Sequence, residues 1–194
     1  MVFGKGINDF SEPVSSKGVK IREYVLWKSM LERCYSKHNI VKNKSYYSVI
    51  VEDELLSFSN FYSFVRTLKG FDKGNWQLDK DILGSGYIYS KENIAFVPRE
   101  VNIFFAVDRN KHREKPIGVK LDRKCGKLFS SMKKGGKTVF LGYFEYEIGA
   151  HKAYLKSKSE YGKELALKYK DFLDARVLRE LNNYESWFKR YGCH

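Results

Sequence analysis

Trp76–Asn102, WQLDKDILGSGYIYSKENIAFVPREVN, is the stretch whose reading decides the fold. Two runs with strand patterning, Trp76 to Ile82 and Ile94 to Val97, flank a loop that carries Gly84 and Gly86. After Pro98 an amphipathic segment begins, and Asn102 lies on it. The order is strand, loop, strand, helix. Asp79 then falls near the end of the first strand, Asn93 at the start of the second and Asn102 in the first turns of the helix. Three polar groups from separate elements converge in such an arrangement. A carboxylate and two carboxamides suit a hard divalent cation such as Mg²⁺, which takes oxygen ligands and few of them from protein.

This pattern resembles the ββα-metal motif of HNH endonucleases, in particular the phage-encoded branch related to homing endonucleases. The resemblance implies a metal-binding Asp at Asp79, a loop-fixing Asn at Asn93 and a helical metal ligand at Asn102, with Mg²⁺ or Mn²⁺ as cofactor. The family's general-base His does not carry over: Lys80 stands at its position and Asp81 follows. An imidazole titrates near neutrality and accepts a proton from attacking water, whereas an ordinary lysine is already protonated. Cleavage on this scaffold would take its base from Asp81, His112 or a metal-bound hydroxide; the catalytic candidates are Lys80 at the position of the family's His, Asp81 after it and the loop-fixing Asn93.

The rest of the chain is organised around that stretch. Residues 1–20, with Gly4, Gly6, Pro13 and Gly18, read as an arm. From Ile21 to Tyr35, Tyr24, Trp27, Leu31 and Cys34 or Tyr35 recur at helical spacing and predict a buried stripe. The run Trp27, Met30, Arg33, Cys34, Tyr35 also resembles the segment upstream of the motif in the same phage proteins. Ser36 to Ser45 reads as a loop and Tyr46 to Val51 as a strand. Glu54 to Leu68 reads as a second helix, with Leu55, Phe58, Tyr62, Val65 and Leu68 inward and Phe61 and Phe64 at the edges.

Asp108 to Lys115, DRNKHREK, interrupts the hydrophobic pattern and predicts a linker between a domain of residues 1–107 and one of residues 116–194. Residues 1–107 hold 15 basic and 12 acidic side chains, net +3; residues 108–194 hold 21 and 11, net +10. A total of +13 exceeds what solubility requires and points to a polyanionic partner, most simply double-stranded DNA, with the second half as the binding half.

That half opens with three strand-like runs, Ile117 to Leu121, Lys127 to Met132 and Thr138 to Tyr143, followed by a long helical stretch with a break at Gly162. Together with Gly118-Val119, Gly135-Gly136, Leu141-Gly142-Tyr143-Phe144 and the Ala150, Ala153, Tyr154 face, these runs resemble the DNA-binding module of plant ethylene-response factors. The resemblance implies a sheet in the major groove backed by a helix. The chain departs from that module at Phe129, where Trp is frequent, and at Ser131. Alternation with Val119, Leu121, Leu128 or Phe129, Val139 and Leu141 inward frees Lys120, Arg123, Lys124, Lys127, Lys133, Lys134 and Lys137 for DNA. Lys163 to Arg190 reads as helical.

The expected fold class is therefore α+β: N-terminal helices around a ββα motif, a three-stranded antiparallel sheet packed on a helix, and a helical C-terminus. Cys34, Cys125 and Cys193 offer neither a CxxC zinc site nor a disulfide framework, and the four histidines are scattered. No phosphate-loop motif occurs, and no run has the length of a membrane span. These features together lead to the expectation of a cytoplasmic protein. Metal-dependent cleavage of duplex DNA is the first functional reading, and a DNA-binding protein that has lost the chemistry is the second.

Overall fold

A computed structural model describes residues 1–106 and 114–192. Most of the expected linker, including His112, lies outside those residues. The chain is α+β and forms two compact units: Met1–Phe105 with Phe172–Val177, and Ala106–Asp171 with Leu178–His194.

In the first unit, the residues expected to form an arm contain a small hairpin of β1 (Ser15–Ser16) and β2 (Val19–Lys20). Helix α1 (Arg22–Tyr35) buries Trp27, Met30, Leu31 and Cys34, and the Trp27 indole N–H donates to the Leu55 carbonyl at 2.9 Å. Glu23 on the same helix is also buried and is paired with Arg66 at 2.8 Å. The segment expected to be a loop folds into α2 (Lys37–Lys42) and a 3₁₀ turn at Lys44–Tyr46. Neither buries a residue, so no apolar stripe announces them in the sequence.

Strand β3 (Ile50–Val51) is shorter than expected and precedes α3 (Asp53–Leu56) and α4 (Phe58–Thr67). The single helix expected there is two, because Ser57 is extended and its hydroxyl caps α4 by accepting the Asn60 N–H. The α4 stripe centres on Phe58, Phe61 and Val65, with Tyr62 and Leu68 only half-buried. Strands β4 (Gln77–Asp79) and β6 (Ala95–Val97) pair antiparallel, while β5 (Ile88–Tyr89) pairs parallel with β3. Helix α5 (Arg99–Phe105) follows β6 directly. Arg22 fastens the turn before β4 by donating to the carbonyls of Phe71 and Lys73.

In the second unit, β7 (Val119–Asp122), β8 (Lys127–Lys134) and β9 (Lys137–Phe144) form an antiparallel sheet in that order. Gly135 and Gly136 make the two-residue β8–β9 turn with φ +55° and +81°, a pair of left-handed conformations that glycine adopts without strain. Helix α6 (Glu147–Lys168) lies across the sheet and runs unbroken through the buried Gly162, contrary to the expected interruption. Beyond α6 the chain is helical in pieces: α7 (Ala175–Asn182), whose residues through Val177 belong to the first unit, α8 (Tyr184–Trp187) and a π turn at Phe188–Gly192.

Candidate nucleic-acid interface and ββα motif

Within the first unit, β4, β6 and α5 give the strand, loop, strand, helix order expected of the Trp76–Asn102 stretch. Asp79 ends β4 and is 7% exposed. Its Oδ1 accepts the backbone N–H groups of Asp81 (2.8 Å) and Ile82 (2.9 Å), which folds the chain sharply after the strand. Burial first, and the neighbouring Asp81 second, push its carboxyl up to about 6 against those two hydrogen bonds.

Asn93 lies in the loop against Gly84: a Cβ at Gly84 would meet the Asn93 carboxamide at 2.7 Å. The loop closes because position 84 has no side chain. Asn102 on α5 donates from Nδ2 to Gln77 Oε1 at 2.8 Å, and Gln77 and Asp79 share a face of β4. The helix residue thus reaches the strand that carries Asp79 through Gln77. Asp79 Oδ2 and Asn102 Oδ1 are the oxygens these bonds leave over. A carboxylate and a carboxamide oxygen are ligand types that Mg²⁺ takes, alongside several waters. Among the described residues, no three His, Cys, Asp or Glu side chains gather into a richer site.

Lys80 is turned into the core. It is 4% exposed, donates to Asp81 Oδ1 at 2.9 Å, and lies 5.2 Å and 5.5 Å from the ring centres of Tyr46 and Tyr89. Arg33 donates to the Tyr89 hydroxyl at 3.1 Å in the same cluster. Burial pushes the Cys34 thiol there up to about 11 despite Lys80 and Arg33, so it stays protonated near neutrality.

Sequence reasoning missed one positioning residue of this motif. Arg176 donates to the carbonyls of Glu92 (2.7 Å) and Ile94 (3.1 Å), one on each side of Asn93, and is itself held by Asp174 at 2.7 Å. It stands 83 positions after Asn93, and nothing near it in the sequence signals the contact.

In the second unit, the register decides which cations face outward. Lys120, Phe129 and Tyr143 form one cross-strand row on the face away from α6. Asp122 and Lys127 make the next row on that face, and Lys133 and Thr138 a third. A β-bulge intervenes: Ser130 pairs with Gly142 but Ser131 pairs with Phe140, which leaves Leu141 as the extra residue. The bulge turns Phe140 outward beside Tyr143, three positions away, where regular alternation would oppose them. Val139, read as inward, keeps to the α6 side by register but is 37% exposed, and Leu121 is 48% exposed.

Phe129, Phe140 and Tyr143 form a ring cluster with centres 5.2 to 6.3 Å apart, and Lys120 reaches over Phe129 at 5.9 Å. The Tyr143 hydroxyl donates to Asp122 Oδ2 at 2.9 Å, and Asp122 Oδ1 accepts the Lys124 N–H at 3.0 Å, so the one acid on the face is engaged. These bonds hold its carboxyl below the usual carboxylate range. Arg123 and Lys124 are exposed in the β7–β8 turn. Two expected cations fall elsewhere. Lys134 and Lys137 pair on the α6 side, where Lys134 binds Glu164 at 2.6 Å and covers Tyr161 at 5.3 Å.

No protein-family model, curated protein or solved structure matches this chain. No described helix is long and apolar enough to cross a membrane.

Proposed function

We propose that this chain is a duplex-DNA-binding protein whose outward β7–β8–β9 face docks in the major groove. The observation that carries the proposal is the make-up of that face. Lys120, Lys127 and Lys133 surround three apolar rings, Arg123 and Lys124 extend it at the turn, and its acid is internally engaged. Lysines at such positions neutralise phosphates and an arginine reads guanine edges, while a sheet of this width suits the groove. The concentration of net charge in the second half, +10 of +13, supports the same assignment.

The test is fluorescence anisotropy of the full chain on a mixed-sequence duplex at low salt. Replacing Lys120, Lys127 and Lys133 together by alanine weakens binding at least about tenfold, since every phosphate contact contributes. All three are exposed, so the fold should survive. A triple variant that binds like the parent contradicts the proposal.

A second reading adds metal-dependent phosphodiester cleavage by the ββα motif, in line with the HNH resemblance. It is favoured by the β4–β6–α5 order and by Asn93 seated on Gly84. Asp79 and Asn102 would hold Mg²⁺, which supplies charge stabilisation at the phosphate and the leaving oxygen. The protein fixes the loop through Asn93 and Arg176, and Lys80 serves as a structural cation between Asp81 and two tyrosines rather than as the base. Asp81, half-buried beside it, follows Asp79 by two positions. Supercoiled plasmid incubated with Mg²⁺ or Mn²⁺ is the check: cleavage by the parent and none by Asp79→Asn is expected. An intact plasmid with both proteins removes the cleavage reading and leaves the binding reading in place.

A further inference from the structure

We infer that the Phe129–Phe140–Tyr143 cluster reads the C5-methyl groups of thymine, which makes this a face selective for T-containing steps in the major groove. The inference rests on the duplex-binding reading and deepens it. Phe140 and Tyr143 are 55% and 52% exposed, and the bulge at Ser130/Ser131 brings them together with Phe129 on one face. Three rings in mutual contact at the centre of a cationic face form an apolar patch that water covers poorly. A docked partner must offer something apolar there.

The major groove offers little that is apolar. Its base edges are hydrogen-bond donors and acceptors, and the group that projects from them without polarity is the thymine methyl. The lysines around the rings meet the phosphates on either side, so the charge complementarity that seats the duplex brings the rings to the groove floor. Tyr143 fits this role because its hydroxyl is tied to Asp122, which presents ring rather than O–H to the partner. Phe129 is steadied by Lys120 above it and by its cross-strand neighbour Tyr143.

The experiment uses the full chain and a randomised duplex pool enriched by binding to it, then re-amplified with either dTTP or dUTP. Deoxyuridine pairs as thymidine does but lacks the methyl. The parent should bind the uracil form more weakly by about fourfold for each methyl contacted, the worth of one buried methyl group. Phe140→Ala should bring the two affinities close together, while Phe140→Leu, still apolar, keeps part of the difference. Equal affinities for the two forms with the parent overturn the inference and leave duplex binding standing. Tighter binding to the separated strands than to the duplex overturns it in favour of stacking on unpaired bases. Failure to enrich any duplex overturns both this inference and the reading beneath it.

Discussion

Asp79 combines a buried carboxyl with a backbone turn, and the two pull its titration in opposite directions. Burial and Asp81 outweigh the N–H groups of Asp81 and Ile82, so its carboxyl rises from 3.8 to about 6. A folded-state value above the unfolded one means that the native state holds the proton more tightly. The contribution to stability is complete below about pH 4 and is lost as pH rises through about 6. A shift of this size is worth on the order of 3 kcal/mol at most. Asp79→Asn keeps an oxygen for both N–H groups and removes the titration. It should be more stable than the parent at pH 7 by roughly 1–3 kcal/mol, and the gap should close near pH 4. Urea unfolding at the two pH values measures this; a gap of the same size at both contradicts the burial account. A cation held by Asp79 would favour the ionised form, so Mg²⁺ should narrow the gap at neutral pH if the cleavage reading holds.

Between the elements, the loop from Gly84 to Ile94 depends on contacts that differ greatly in how visible they are in the sequence. Asn93 on Gly84 lies within one short motif: the resemblance implied a loop-fixing role for Asn93, and its seat against Gly84 is a structural finding. The Arg176 clamp on Glu92 and Ile94 comes from far along the chain and leaves no periodic trace. Arg176→Ala leaves two carbonyls and Asp174 without their charged donor, a loss of about 1–3 kcal/mol local to this loop. Hydrogen exchange should quicken between residues 84 and 95 while α1 and α4 keep their protection; uniform exchange across the unit contradicts a positioning role. The same contrast runs through the second unit. Strand order, the Gly135-Gly136 turn and the backing helix were legible because turn residues and period-two runs encode them directly. The bulge was not, since it inserts one residue into an otherwise regular pattern and reverses the facing of every position beyond it. For that reason an alternation with Val139 and Leu141 inward would carry Tyr143 inward too, whereas the bulge sets Tyr143 outward beside Phe140; Lys134 and Lys137 follow Met132 and Val139 to the α6 side. Lys80 read as a departure from a catalytic pattern, and its burial left no trace in the sequence: two aromatic rings and Asp81 hold it inside the fold.

At the scale of the whole molecule, charge and topology differ between the two halves of the chain. The near-neutral first half carries the ββα motif in a core of Trp27, Phe58, Phe61 and Phe96, and the strongly basic second half carries the exposed sheet face. The central claim is that this face neutralises phosphates, and salt titration tests it most directly. Counterions released from DNA make the logarithm of the affinity fall linearly with the logarithm of salt, by about 0.9 for each phosphate contacted. The full chain and its Lys120, Lys127, Lys133 triple alanine variant should be compared on the same duplex between about 50 and 200 mM salt. The account predicts a steep slope for the parent and a slope shallower by about 2 to 3 for the variant, one lost contact per lysine. Equal slopes for the two proteins, or a parent whose affinity ignores salt, would contradict it.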